Sequence, residues 1–188
     1  ADLLFKDGLI STFLNGMVKC TGYKPGALED RYSSDGVFLY DRLNKSDMEM
    51  LELAIRCHNM YRIPQGLNSR EQAFCNVLRD ADKVDIFKVN IDTPLEEIYN
   101  TTTEELMKSD ITDEVLEAFD EEHCILKAIR RTPADTVIGH VSLAYELVYD
   151  ESVRITVEQG YLAKLMHFHS DNEETNRKMV MVREKMDS

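Results

Sequence analysis

The chain has 188 residues, 43% of them hydrophobic and 30% charged, and a net charge of −13. That balance describes a soluble globular chain and excludes intrinsic disorder, while the negative charge argues against nucleic-acid backbones and anionic membranes as partners. No apolar run approaches a membrane span and no signal-peptide pattern is present, so a cytoplasmic protein is expected.

The four cysteines, Cys20, Cys57, Cys75 and Cys124, are scattered, with no close pair to suggest zinc or redox chemistry. With nine methionines they predict buried free thiols in a reducing cytosol. Several long segments have helical rather than alternating apolar periodicity, which predicts an all-α fold. The length suits one domain or a tight two-lobed one, with a lobe boundary expected near 91–101.

In chain order, residues 2–14 read as a helix with Gly8 as its weak point. Residues 19–36, rich in Gly, Pro, Ser and Asp, form the clearest loop. Val37–Leu43 is a second helix, and a third, capped by Ser46 or Asp47, runs to about Tyr61. That third helix carries Leu51, Ala54, Ile55 and His58 on one face, so His58 is expected to point inward. It reads either as a core histidine bonded to a backbone carbonyl or as a functional group. Ile63-Pro64-Gln65-Gly66 is a turn, and Ser69-x-x-Gln72 then reads as a capping box.

The helix that follows holds Arg79-Asp80-Ala81-Asp82-Lys83-Val84-Asp85. Phe74, Val77, Leu78, Ala81 and Val84 form an apolar stripe on it, with Leu78 and Ala81 buried and the helix spanning roughly 70–89. Asp85 falls within the stripe, Asp82 at its edge and Asp80 outside it, while Arg79 and Lys83 face outward. Asp82 and Asp85 can thus converge on one interior point. They read either as metal-site carboxylates or as groups that cap backbone and pair with cations.

Further on, Thr93-Pro94 opens a short helix with Pro at its first position, and Thr101–Lys108 is another. Thr112 caps one through Phe119. Glu121-Glu122-His123-Cys124 reads as a solvated acidic segment. Thr132-Pro133-Ala134-Asp135 is a strong helix start, behind which Val137, Val141, Ala144 and Val148 align and His140 packs. A helix from Ser152 carries Val153, Val157, Tyr161 and Leu165. It ends near His167 and His169, which diverge too far on a helix to share an ion. Asn172–Met186 is an amphipathic terminal helix.

His58-Asn59, the Ile63-Pro64 turn and then Phe74-x-x-x-x-Arg79-Asp80-Ala81-Asp82-Lys83-Val84-Asp85-Ile86-Phe87 together resemble the later half of the HD-domain superfamily of metal-dependent phosphohydrolases. The resemblance runs from about residue 50 through Thr132-Pro133-Ala134-Asp135 and Tyr161-Leu162. It implies a single compact helical bundle of HD type over residues 1–188, lacking its N-terminal helices. It also implies Asp82 as a metal ligand, His58 near substrate or a second metal, and Lys83 and Asp85 flanking the site.

The pattern departs from the family in one respect. The five histidines are followed by Asn59, Cys124, Val141, Phe168 and Ser170, so the sequence contains no His-Asp dipeptide. Ala1–Ile10 resembles a segment that follows the His-Asp helix in the family, and the chain opens without Met inside an amphipathic pattern. Ligands upstream of residue 1 are therefore one expectation, and loss of the site is the other.

A mixed His/carboxylate set suits manganese, iron, cobalt, nickel or zinc, held weakly by this chain alone. The implied function is hydrolysis of a small phosphorylated substrate, a nucleotide among them, since a bound cation inverts the local field. The alternative is a catalytically inert helical interaction or dimerisation module, and a homo-oligomer fits either.

Overall fold

The computed structural model describes residues 44–187, and all regular structure among these residues is helical, with no strand. The helix expected over 2–14, the loop over 19–36 and the helix over 37–43 lie outside the described residues. The chain divides into two compact units between Asp82 and Lys83.

In the first unit, α1 spans Lys45–Cys57. Its cap is Asn44, earlier than the expected Ser46 or Asp47. Asn44 Oδ1 accepts the Asp47 N–H at 2.9 Å, and Asn44 Nδ2 donates to the Asp47 carboxylate at 2.7 Å. The helix stops at Cys57 rather than near Tyr61, because side chains take over the work of its last backbone groups, as described below. Ala54, Cys57 and Cys75 form a small apolar cluster, with Leu53, Ile63, Leu67 and Leu78 packed against it.

Helix α2 spans Ser69–Asp92 and runs on into the second unit. Its capping box lies one residue earlier than expected. Asn68 Oδ1 accepts from the backbone N–H of Arg70 and Glu71, both at 3.0 Å, and Glu71 returns a carboxylate oxygen to the Asn68 N–H at 2.9 Å. Asparagine is at least as good a cap as serine, and Glu at N3 completes the exchange.

The buried face of α2 is the main correction to the sequence reading. Ala81 and Val84 are buried and Leu78 partly so, but Phe74 and Val77 are 42% and 46% exposed. Arg79 and Lys83, expected outside, are only 7% and 4% exposed, and Asp80 is 0% exposed. Asp85, expected to be buried, is half-buried. The inward face therefore runs through Cys75, Arg79, Asp80, Lys83, Val84, Phe87 and Asn90. Long cationic side chains fit such a face because their stems pack as hydrocarbon while their heads reach polar partners.

The second unit adds α3 (Leu95–Tyr99), α4 (Thr103–Lys108), α5 (Asp113–Asp120) and α6 (Pro133–Val141). It is completed by α7 (Asp150–Gln159), α8 (Tyr161–Met166) and α9 (Glu173–Met186). Its core is one cluster that includes Phe87, Leu106, Ile111, Phe119, Ile138, Leu165, Met179 and Val182. Each such side chain contributes about 1.5–3 kcal/mol on burial.

Asp135 locks two helix starts together. It completes the expected capping box with Thr132, and it also accepts the Arg131 N–H at 2.8 Å and the Thr112 N–H at 2.8 Å. Thr112 precedes α5 as expected, but its hydroxyl turns to the Asp135 carboxylate rather than to its own helix. Pro94 precedes α3 as its cap, with its carbonyl accepting from Glu97 and Ile98, and so stands one place before the expected first helical position. Helix α4 begins at Thr103, with Thr102 and Glu105 forming its capping box, not at Thr101.

Two expected stripes do not survive. After Val141 the chain tightens into a 3-10 segment, Ser142–Glu146, which turns Val148 out to solvent. The segment expected as one helix from Ser152 is α7 and α8, broken at Gly160, whose φ of 69° suits a residue without Cβ. The break resets the helical phase, so Val153 and Val157 are exposed while Ile155 and Leu165 are buried. Among the described residues no helix is long and apolar enough to cross a membrane.

Candidate functional site

The candidate site begins where α1 ends. Four carbonyls at a helix C-terminus lack intrahelical donors and carry partial negative charge. Arg79 supplies a buried cation there. One of its terminal nitrogens donates to the Cys57 carbonyl at 3.0 Å and to the His58 carbonyl at 3.4 Å, and also to the Met60 carbonyl. This explains why a guanidinium can be buried on α2, and why α1 stops where it does.

His58 is half-buried, and its Nδ1 lies 2.5 Å from the Ile55 carbonyl oxygen. A carbonyl oxygen can only accept, so Nδ1 carries a proton and donates it to Ile55. This is the bond expected of a core histidine. It also orients the ring through Nδ1, which leaves Nε2 as its second functional nitrogen.

Helix geometry relates Asp82 to this corner. Cys75 and Leu78 pack in the small cluster at α1, and Arg79 reaches the α1 carbonyls. Asp82 follows Cys75 by seven residues and Arg79 by three, so it projects from the same side of α2, one turn further along. It is half-buried and thus accessible in part. Asp80 is fully buried, and Asp85 is half-buried like Asp82. Lys83, expected to face outward, is buried.

The remaining histidines belong to the second unit. His123 is exposed and 3.5 Å from Glu146, in the solvated segment where it was expected. His167 and His169 are both exposed, beyond the end of α8, and His167 Nδ1 is 2.7 Å from the Ala163 carbonyl.

His140 belongs to a buried network in the second unit that sequence reasoning met only as a packed histidine. Asn90 Oδ1 accepts from the Tyr99 hydroxyl at 2.8 Å and lies 2.7 Å from His140 Nδ1. Asn90 Nδ2 donates to the Ile86 carbonyl at 2.8 Å. Burial, reinforced by the positive charges of Arg130 and Lys127, pushes His140 down to about 4, and burial pushes the Tyr99 phenol up. The ring is therefore neutral, with Nδ1 as donor to the amide oxygen. The signal in the sequence was Asn90 on the inward side of α2, a polar residue that burial obliges to find partners.

A divalent cation needs about four to six donors. Among the described residues no three His, Cys, Asp or Glu side chains converge so as to hold one. Asp82 and His58 would supply two such donors. No protein-family model, no curated protein and no solved structure matches this chain.

Proposed function

We propose that this chain carries the later half of an HD-type metal-dependent phosphohydrolase domain acting on a nucleotide or another small phosphoester. The observation that carries the reading is the corner at the end of α1. Cys75, Arg79 and Asp82 share one side of α2, and Cys75 and Arg79 meet the residues next to His58. That arrangement supports reading His58 and Asp82 as members of one site. It fits the resemblance of Arg79-Asp80-Ala81-Asp82-Lys83-Val84-Asp85-Ile86-Phe87 to the family segment that carries its late Asp ligand.

The roles follow from chemistry. Asp82 is the half-accessible carboxylate that would serve a manganese, iron, cobalt, nickel or zinc ion. His58, held by the Ile55 carbonyl, would orient phosphate or protonate the leaving oxygen. Asp80, fully buried, would act in a structural pair. The reading requires a His-Asp pair, which this sequence does not contain. The chain alone is therefore expected to turn over little or no substrate.

The deciding experiment reads the genomic frame upstream of residue 1 for a His-Asp dipeptide and assays the extended protein on a generic phosphoester with manganese. Asp82→Asn should remove most of the turnover, and with it manganese affinity. Asp80→Asn should chiefly lower stability. Robust metal-dependent turnover by the 188-residue chain itself would show the site to be elsewhere.

A second reading, an inert helical interaction or dimerisation module in the cytoplasm, draws on Phe74 and Val77, apolar side chains exposed on α2. Absence of any upstream His-Asp pair would favour it.

A further inference from the structure

Cys57 closes α1 and Cys75 stands in the second turn of α2. Both are buried free thiols and members of the same three-residue cluster with Ala54. The sequence separates them by the Ile63–Gly66 turn and offers no close cysteine pair, so the fold alone brings them together. Arg79 already ties α2 to the Cys57 carbonyl, which holds the two helices in this register.

We propose that Cys57 and Cys75 are a modification site: a reversible disulfide that pins the end of α1, and with it His58, to α2. The inference stands independently of the phosphohydrolase reading. A peroxide is the fitting oxidant, since it is small enough to reach a buried pair where a bulky disulfide is not.

Burial first, and then the neighbouring Cys57, push the Cys75 thiol up to about 11. In the proposed sequence Cys57, at the end of α1, is the attacking sulfur. It displaces hydroxide from hydrogen peroxide as the O–O bond breaks, forming a sulfenic acid, and the hydroxide takes up the Cys57 thiol proton as water. Cys75 sulfur then displaces the sulfenic oxygen, which leaves with the Cys75 proton as a second water. The two thiols lose two electrons and the peroxide gains them.

The test uses the unaltered protein. It is treated with limiting hydrogen peroxide, its remaining thiols are alkylated, and its peptides are weighed. The expected result is loss of two of the four thiols and a linked peptide joining Cys57 to Cys75, lighter by two hydrogens and restored by a dithiol reductant. Cys75→Ser should stop the reaction at a sulfenic acid on Cys57, trapped by a 1,3-diketone. Alkylation of all four thiols after peroxide, or linkage through Cys20 or Cys124 instead, would overturn the proposal. Because the linkage is read on the native chain, misfolding of the variant would not shield it.

Discussion

His140 Nδ1 lies 2.7 Å from Asn90 Oδ1, which joins α6 to the last turns of α2 across fifty residues of sequence. The amide oxygen accepts from both His140 and Tyr99, and an acceptor of that kind holds a neutral imidazole without needing its charge.

The first prediction follows from that neutrality. His140 is pushed down to about 4, by burial first and by Arg130 and Lys127 after it. Its folded pKa is thus below the unfolded value, so the unfolded chain binds the proton more readily. The stability present at neutral pH should fall as pH drops from about 6.5 towards about 4, by about 2–3 kcal/mol in total. Urea unfolding across that range should show the loss, and His140→Gln should remove most of it. An unchanged pH dependence in the variant would assign the loss to other groups.

Asp135 should be among the costliest single positions. Its carboxylate is fully buried and accepts from Thr112, Arg131 and Thr132. Asp135→Asn turns an amide donor against backbone donors, and should cost about 2–4 kcal/mol in chemical denaturation, because hydrogen bonds to a buried charge are lost. A change within experimental error would mean that the helix starts at α5 and α6 are held by packing alone.

Arg79→Met keeps the stem and removes the cation from the α1 carbonyls. Amide exchange should speed up in the last turn of α1, and stability should fall by about 2–4 kcal/mol. Arg79→Lys should recover part of this, since an ammonium keeps the charge but lacks the fork. Equal loss in both variants would show that geometry, rather than charge, secures the end of α1.

At Gly139 a methyl group would stand 2.2 Å from the Arg130 guanidinium. Arg130 donates to the Ile125 and Gly139 carbonyls, so displacing it breaks those bonds. Gly139→Ala should therefore destabilise by about 1–3 kcal/mol despite the better helix propensity of alanine. In an Arg130→Ala background the same change should become neutral or stabilising. The double-mutant cycle reads that coupling directly, and additive effects would contradict it.

The helical class of this protein, and most of its helix starts, were already determined by the sequence. A 3.6-residue apolar period and the Thr132-Pro133-Ala134-Asp135 signature are local properties, and capping chemistry acts over three residues. Where a better cap stood one or two places away, as with Asn44 and Asn68, the boundary moved but the helix did not. The same locality explains the misreadings of Val148, Val153 and Val157. A 3-10 segment and the turn at Gly160 reset the phase, and a continuous period cannot foresee a break.

The inward face of α2 was decided only by tertiary structure. Judged by apolar count, Phe74 and Val77 belong inside and Arg79 outside. The carbonyls that draw Arg79 inward belong to residues 57–60, about twenty positions earlier, and their demand for a donor exists only once α1 ends beside α2. The meeting of Cys57 with Cys75, and of Asn90 with Tyr99 and His140, has the same origin. A buried polar group must find its partner wherever the fold places one, and nothing in the local sequence records where that is.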